Sequence, residues 1–115
     1  MSSIISIHYY ELKPEVSEEE FEQTIKKAEE KNLLNLPGLK HHYFIKGIRG
    51  TRKNKYAAIW IYESKEAWEK LWGPEDNPLS KKEYPESWNK WEDEVLAAFL
   101  IEDPDKITFT SYEKL

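Results

Sequence analysis

Three histidines are the side chains of this sequence best suited to moving a proton near neutral pH. They are His8, His41 and His42, and imidazole is the side chain whose ordinary pKa lies closest to 7. Their spacing never puts two imidazoles on one helical face, so it does not predict a metal site. His8 and His42 are therefore candidates for acid–base catalysis. The alternative is that each is simply hydrogen-bonded within a polar sheet face.

Aromatic residues supply the second set of candidates. The phenols of Tyr10 and Tyr62 could donate hydrogen bonds to a carbonyl or to a developing enolate oxygen. Aromatic rings could line a flat pocket for an aromatic or quinone-like ligand. The alternative is that these rings only form the core and the contacts between subunits. The residues assigned to the pocket are Phe44, Trp60, Trp72 and Trp88.

Composition excludes several classes of function. The chain has no cysteine, which removes disulfides, thiolate metal sites and cysteine nucleophiles. Its net charge is −5 with the basic residues scattered, which argues against a surface for nucleic acid. No Ser-His-Asp array, phosphate-binding glycine loop or flavin fingerprint is visible. We expect neither a metal nor a cofactor, and we interpret the acidic runs at 18–20 and 92–94 as solvated helix faces.

Length and hydropathy predict one domain, residues 1–115, because 115 residues are enough for a single packed core and too few for two. The N-terminal stretch lacks the features of a signal peptide. No apolar run approaches the roughly 20 residues that span a bilayer. The expectation is a cytoplasmic protein without a membrane partner.

Alternating β-branched and aromatic residues predict four strands, and helical spacing of apolar residues predicts three helices. The first helix begins after a capping box at Ser17 and Glu20, and the turn at Pro37 and Gly38 separates it from the second strand. The predicted strands are 4–12, 39–46, 56–62 and 107–112. The second helix, 65–72, follows a cap at Ser64, and the third is 86–101.

Two of the segments that connect these elements have more than one interpretation. Residues 47–55 are basic and predict a long hairpin loop, with anion binding as the alternative. Residues 73–85 predict an irregular surface connection, and whether it closes over a ligand stays open.

This order of elements predicts an α+β, ferredoxin-like fold, β-α-β-β-α-(α)-β, in which the helices cover one face of a four-stranded antiparallel sheet. On the third strand we expect Ala57, Ile59 and Ile61 to lie under the helices. The opposite face would then be aromatic and uncovered, which predicts a homodimer formed through it. The residues expected on that open face are Tyr10, Phe44, Tyr56, Trp60 and Tyr62.

Three stretches together make the chain resemble the dimeric α/β-barrel proteins related to the antibiotic-biosynthesis monooxygenases. They are the capped helix after Ser17, the turn at 36–39 and the strand-to-helix junction at 59–68. The resemblance implies paired ferredoxin-like subunits with a pocket beside each sheet. It implies a cofactor-free oxygenase acting on a small aromatic or quinone-like substrate. The alternative is a non-catalytic homodimer that binds a small apolar ligand or responds to stress.

Haem degradation, known in the same family, is disfavoured. The resemblance would put its asparagine at Tyr10 and its tryptophan at Tyr62, and neither matches. It would also put an iron-ligating histidine after the second helix, but residues 68–101 contain none.

Overall fold

The computed structural model describes residues 3–115. Met1 and Ser2, which belong to the stretch where no signal-peptide features were expected, lie outside the described residues. The sheet has four antiparallel strands in the order β2-β3-β1-β4. This is the order expected when two right-handed crossovers bring the helices to one face. The strands are β1, Ile4–Tyr10; β2, Leu39–Lys46; β3, Tyr56–Tyr62; and β4, Phe109–Glu113.

Two regular helices begin at the caps that the sequence predicts. Helix α1 spans Glu18–Glu30, and the Glu20 amide donates to the Ser17 hydroxyl at 3.2 Å. Helix α2 spans Lys65–Trp72, and Ser64 accepts from the Ala67 amide at 3.1 Å. Each cap satisfies an amide at the start of the helix that has no partner within it.

The third helix, expected over 86–101, is helical over 86–98 but changes its helix type along the way. A short helix α3, Glu86–Lys90, continues into a π-helical turn, Trp91–Val95, and a 3-10 turn, Leu96–Ala98. π-Helical turns are rare and occur often at functional sites. Here the turn brings Trp91, Glu92 and Leu96 into the interior together.

The two faces of the sheet are the reverse of the expectation. Trp60, which was expected on the open face, is fully buried (0% exposed), and Tyr10, Tyr56 and Tyr62 are buried with it in the core beneath the helices. Strand pairing places Trp60 between Ser6 of β1 and His42 of β2. The physical reason is volume, because large rings fill the space between sheet and helices and bury more apolar area than isoleucine does.

The face away from the helices is therefore aliphatic. Ile59 and Ile61 point there, and so do Ile5 and Ile7 of β1, which pair with them. Tyr43 and Ile45 of β2 are exposed there. The predicted homodimer consequently loses the aromatic surface on which it was based, and any partner would cover these aliphatic residues instead.

No helix within residues 3–115 combines the length and the apolar composition that crossing a membrane requires.

Candidate functional site

A cavity of about 420 Å³ lies between the β1–β4 side of the sheet and the helices. Its volume is within the range of small-molecule sites. Aromatic rings from three strands, from α2 and α3 and from the connection between these helices form much of its wall. The aromatic residues of the lining are His8, Tyr62, Trp68, Trp72, Tyr84, Trp88 and Phe109.

His8 is part of the cavity wall because it lies two residues after Ser6, on the same face of β1. Its ring packs 5.8 Å from Trp60, 5.8 Å from Trp88 and 5.6 Å from Phe109, measured between centroids. Burial among these rings lowers the pKa of His8 to about 4. The imidazole is therefore neutral at pH 7. It can donate one hydrogen bond and accept another, but it is a weak base.

Tyr62 and Trp72 form a polar pair within the aromatic wall. The Trp72 indole N–H donates to the Tyr62 hydroxyl oxygen at 3.2 Å. Burial raises the pKa of Tyr62 above its ordinary value, so the phenol remains protonated. Because Tyr62 accepts this bond, its own hydroxyl hydrogen is left to donate to a ligand.

Glu92 is the carboxyl group that sequence reasoning missed. It lies in the π-helical turn, is 4% exposed, and its Oε1 has no hydrogen-bond partner among residues 3–115. The pKa of Glu92 is raised to about 7, mainly by burial. The negative charges of Asp105, Asp93 and Asp103 also raise this pKa, whereas the positive charge of Lys81 lowers it. A carboxyl that titrates near neutrality inside a cavity is suited to general acid–base catalysis.

The spacing of Glu92 did contain a signal. It follows Trp88 by four residues and Trp91 by one, so it falls within the buried stripe of a helix. The acidic run 92–94 was expected to form one solvated helix face. In the structure Glu92 is buried, while Asp93 and Glu94 are exposed.

Four of the predicted site residues line the cavity, namely His8, Tyr62, Trp72 and Trp88. The other four, His42, Tyr10, Phe44 and Trp60, do not.

Trp60 contacts His42, which lies outside the cavity, and also Trp88, which lines it. His42 stacks on one side of the Trp60 ring at 5.6 Å, whereas Trp88 packs edge-on against it at 5.1 Å. His42 lies 3.5 Å from the Glu29 carboxylate, and Phe44 packs against Trp91 in the core.

A second cavity, about 350 Å³, lies at the other end of β1 beside Tyr9 and Arg52. The Arg52 guanidinium already donates to the Glu11 carboxylate at 2.7 Å and to the Tyr56 carbonyl at 2.8 Å. These bonds anchor the basic loop 47–55 to the sheet, so the arginine supports the loop and leaves little capacity for an anion.

Among residues 3–115 no cluster of three or more histidine or acidic side chains is arranged to hold a metal ion. The first cavity is the candidate site because its walls bring Glu92, His8 and Tyr62 together.

No protein-family model and no curated protein sequence matches this chain. Several solved structures share its fold at low sequence identity. A DABB family protein with a ferredoxin-like fold from Mesorhizobium loti has a TM-score of 0.60 at 12% identity, covering 100% of this chain and 97% of its own. A putative antibiotic biosynthesis monooxygenase from Bacteroides thetaiotaomicron has a TM-score of 0.57 at 16% identity, covering 98% and 90%.

SnoaB, a cofactor-independent oxygenase from Streptomyces nogalater, has a TM-score of 0.54 at 12% identity, covering 100% of this chain and 93% of its own. At such identities the likeness concerns the fold and not the chemistry. The expected fold is confirmed: the chain has the ferredoxin-like architecture shared by the DABB and antibiotic-biosynthesis-monooxygenase-like proteins.

Proposed function

We propose that this protein is a cofactor-free oxygenase that oxidises a small aromatic substrate bound between its sheet and its helices. The observation that carries the proposal is the Glu92 carboxyl, which is buried in an aromatic-walled cavity with a pKa of about 7. Such a group can remove a proton from a weakly acidic substrate and return it later. The likeness of the fold to SnoaB is consistent with this chemistry.

The reaction needs only substrate and dioxygen. Glu92 removes a proton from an activated CH₂ or phenolic group, and the resulting anion donates an electron to O₂. The two radicals combine at the carbon to give a peroxide anion, which takes the proton back from Glu92 and becomes a hydroperoxide. Loss of water from the hydroperoxide then leaves a carbonyl. One oxygen atom enters the product and the other leaves as water, so CH₂ and O₂ become C=O and H₂O.

Two further side chains would stabilise the anion. The hydroxyl of Tyr62 has its hydrogen free and can donate it to the oxygen on which negative charge develops. Neutral His8 can donate a ring N–H in the same way, a role that differs from the base first expected of it. The rings of Trp72 and Trp88 would hold the flat substrate.

The test is oxidation of a dihydroxyanthrone under air, followed by quinone absorbance and by oxygen consumption. Wild type should exceed the buffer rate, and Glu92→Gln should lower the enzymatic excess about 100-fold or more because the amide cannot accept the proton. Glu94→Gln is the matched control, since Glu94 is exposed two residues away. A wild-type rate equal to that of buffer would refute the proposal.

Binding without turnover is the second candidate, and the low pKa of His8 favours it. With the imidazole a weak base, Glu92 alone supplies basicity near pH 7. Saturable ligand binding by wild type with no oxygen consumption, for any of a panel of anthrones and hydroquinones, would favour this candidate.

We also propose that the protein works as a homodimer through its aliphatic sheet face. Residues Ile7, Ile59 and Tyr43 belong to a continuous apolar surface on three neighbouring strands. An uncovered patch of this kind is uncommon on monomers, and a two-fold axis lets one such sheet cover another.

A further inference from the structure

The cavity described above is acidic as well as aromatic. Three carboxyl groups line it, from Glu75, Glu92 and Asp105, and within residues 3–115 its lining includes no lysine or arginine. Two nearby lysines are already engaged by carboxylates: Lys81 lies 2.6 Å from Asp93, and Lys65 lies 3.5 Å from Glu75 of the lining. An anionic ligand would therefore meet like charge from the lining, and the lysines that offset part of this charge are already paired.

Ring geometry points the same way. Trp72 stands nearly perpendicular to Tyr84, with 5.0 Å between centroids and 82° between planes, and it meets Trp88 at 5.2 Å and 66°. In an edge-to-face pair one ring contributes only its edge, so the faces of that ring are free for another contact, and all three rings belong to the cavity lining. Such faces carry the negative part of the ring quadrupole and attract organic cations.

Glu92 adds an independent observation, because its Oε1 is buried and unpartnered within the described chain. A buried carboxylate oxygen without a donor is costly unless a ligand supplies one. A protonated amine would donate a hydrogen bond to it, and a quaternary ammonium would supply charge alone.

We propose that this cavity selects flat aromatic ligands that carry a positive charge, as a protonated amine or a quaternary ammonium, and disfavours those that carry a carboxylate. The inference extends the proposed oxygenase by naming the charge class of its substrate, and it uses the same cavity. It concerns binding, so it can be measured whether or not the ligand turns over.

Three bicyclic probes of similar size test it by titration calorimetry at pH 8: N-methylquinolinium as the cation, quinoline as the neutral molecule and 1-naphthoate as the anion. We expect the cation to bind at least about tenfold more tightly than quinoline, and naphthoate to bind most weakly. Equal or tighter binding of naphthoate, or no binding of the cation at millimolar concentration, would overturn the proposal.

Two variants show that the selection resides in this cavity. Glu92→Gln should bring the ratio of cation to neutral affinity several-fold closer to one, whereas the exposed control Glu94→Gln should leave it unchanged. Phe109→Lys places a cation at the cavity wall on a residue that is 58% exposed, so the fold should tolerate it. It should weaken N-methylquinolinium and strengthen naphthoate. Unchanged ratios in both variants would contradict the assignment.

Failure of this inference and failure of the proposed function have different signatures. Oxidation of the anthrone by wild type with no preference for the cationic probe would refute the charge selection and leave the oxygenase standing. A clear cation preference with no oxidation of any anthrone would refute the oxygenase and leave the charge selection standing.

Discussion

Two buried side chains in the cavity respond to pH in opposite directions. The folded-state pKa of Glu92, about 7, exceeds its ordinary value of 4.5, so its contribution to stability is complete below pH 4.5 and is lost as pH rises through 7. The pKa of His8 falls from 6.5 to about 4, so its contribution is complete above pH 6.5 and is lost as pH falls through 4. Between about pH 4.5 and 6.5 the two contributions offset each other.

Glu92→Gln should therefore uncover the pH dependence that His8 alone produces. The free energy of unfolding of this variant, relative to wild type, should increase by about 2 kcal/mol between pH 4.5 and pH 8, since each pKa unit corresponds to about 1.4 kcal/mol before allowance for partial solvation. Urea denaturation across this pH range measures it. Glu94→Gln should follow wild type at every pH, and a constant offset between Glu92→Gln and wild type would contradict the assigned pKa.

The pH dependence of the oxidation rate should also reflect the ionisation of Glu92. Only ionised Glu92 can take a proton, so the enzymatic excess in anthrone oxidation should rise with pH through about 7 and level off above it. The rate in buffer must be subtracted at each pH, because the substrate also ionises in solution. A rate that is flat from pH 5 to pH 9 would assign the proton transfer elsewhere.

Tyr10 is a predicted catalytic residue that the structure places outside the cavity. Its hydroxyl is buried without a hydrogen-bond partner in the described chain, and burial raises its pKa above the ordinary value. Tyr10→Phe removes this unsatisfied group while keeping the ring, so stability should stay equal or increase by about 1 kcal/mol. Oxidation should be unchanged, whereas Tyr62→Phe, as the contrasting variant, should slow it. A loss of activity in Tyr10→Phe would restore its catalytic role.

Residue types alone could identify His8, Tyr62, Trp72 and Trp88 as candidates, and the cavity brings these four together. Residue types could not exclude His42 or Phe44 from the site. Whether either side chain reaches the cavity depends on how the helices pack over the sheet around Trp60. Glu92 was accessible in principle through its spacing from Trp88. The raised pKa of Glu92 could not be predicted from the sequence, because it depends on burial by distant parts of the chain.

At the scale of elements, local signals were reliable where one residue type sets the geometry. Ser17 and Ser64 start their helices as expected, and Gly38 takes the positive φ of 81° that the turn into β2 requires. The third helix begins at Glu86 as expected and stays helical without a break to residue 98, but it ends three residues early and contains a π-helical turn that local propensity does not predict.

The connection after α2 is an element whose shape should affect both stability and binding. Gly73 has φ 90°, and a Cβ added there would lie 2.6 Å from the Leu79 amide nitrogen and 2.8 Å from the Asn77 carbonyl oxygen. Gly50 has φ 97° with nothing within 4 Å, so it controls for backbone strain alone. We expect Gly50→Ala to cost about 1 kcal/mol and Gly73→Ala about 3 kcal/mol of unfolding free energy.

Ligand affinity separates these two variants further, because Gly73 and Pro74 form part of the cavity wall and Gly50 does not. Gly73→Ala should weaken N-methylquinolinium several-fold and Gly50→Ala should not. Equal losses of stability in the two variants, or unchanged affinity in Gly73→Ala, would mean that the connection rearranges freely.

On the scale of the whole molecule, the fold followed from the order of elements, but the orientation of the sheet did not. In β3 the alternation of Tyr56, Trp60 and Tyr62 with Ile59 and Ile61 gives two faces that are both apolar, so the sequence pattern cannot tell which one the helices cover. The choice depends on how much volume the helices leave above the sheet. Large rings fill that volume, and the aliphatic face is left outside.

That outer face predicts how the protein assembles. Ile59 lies in its middle, between Ile7 on β1 and Tyr43 on β2, so Ile59→Lys should bury a charge in any sheet-to-sheet contact and dissociate the dimer. Light scattering after gel filtration at micromolar concentration should give twice the chain mass for wild type and the single-chain mass for Ile59→Lys. Ile48→Lys is the matched control, because Ile48 is 86% exposed in the loop between β2 and β3, and it should remain dimeric. Circular dichroism would confirm that both variants fold. A monomeric wild type, or a folded Ile59→Lys that keeps the mass of two chains, would show that this face does not join the subunits.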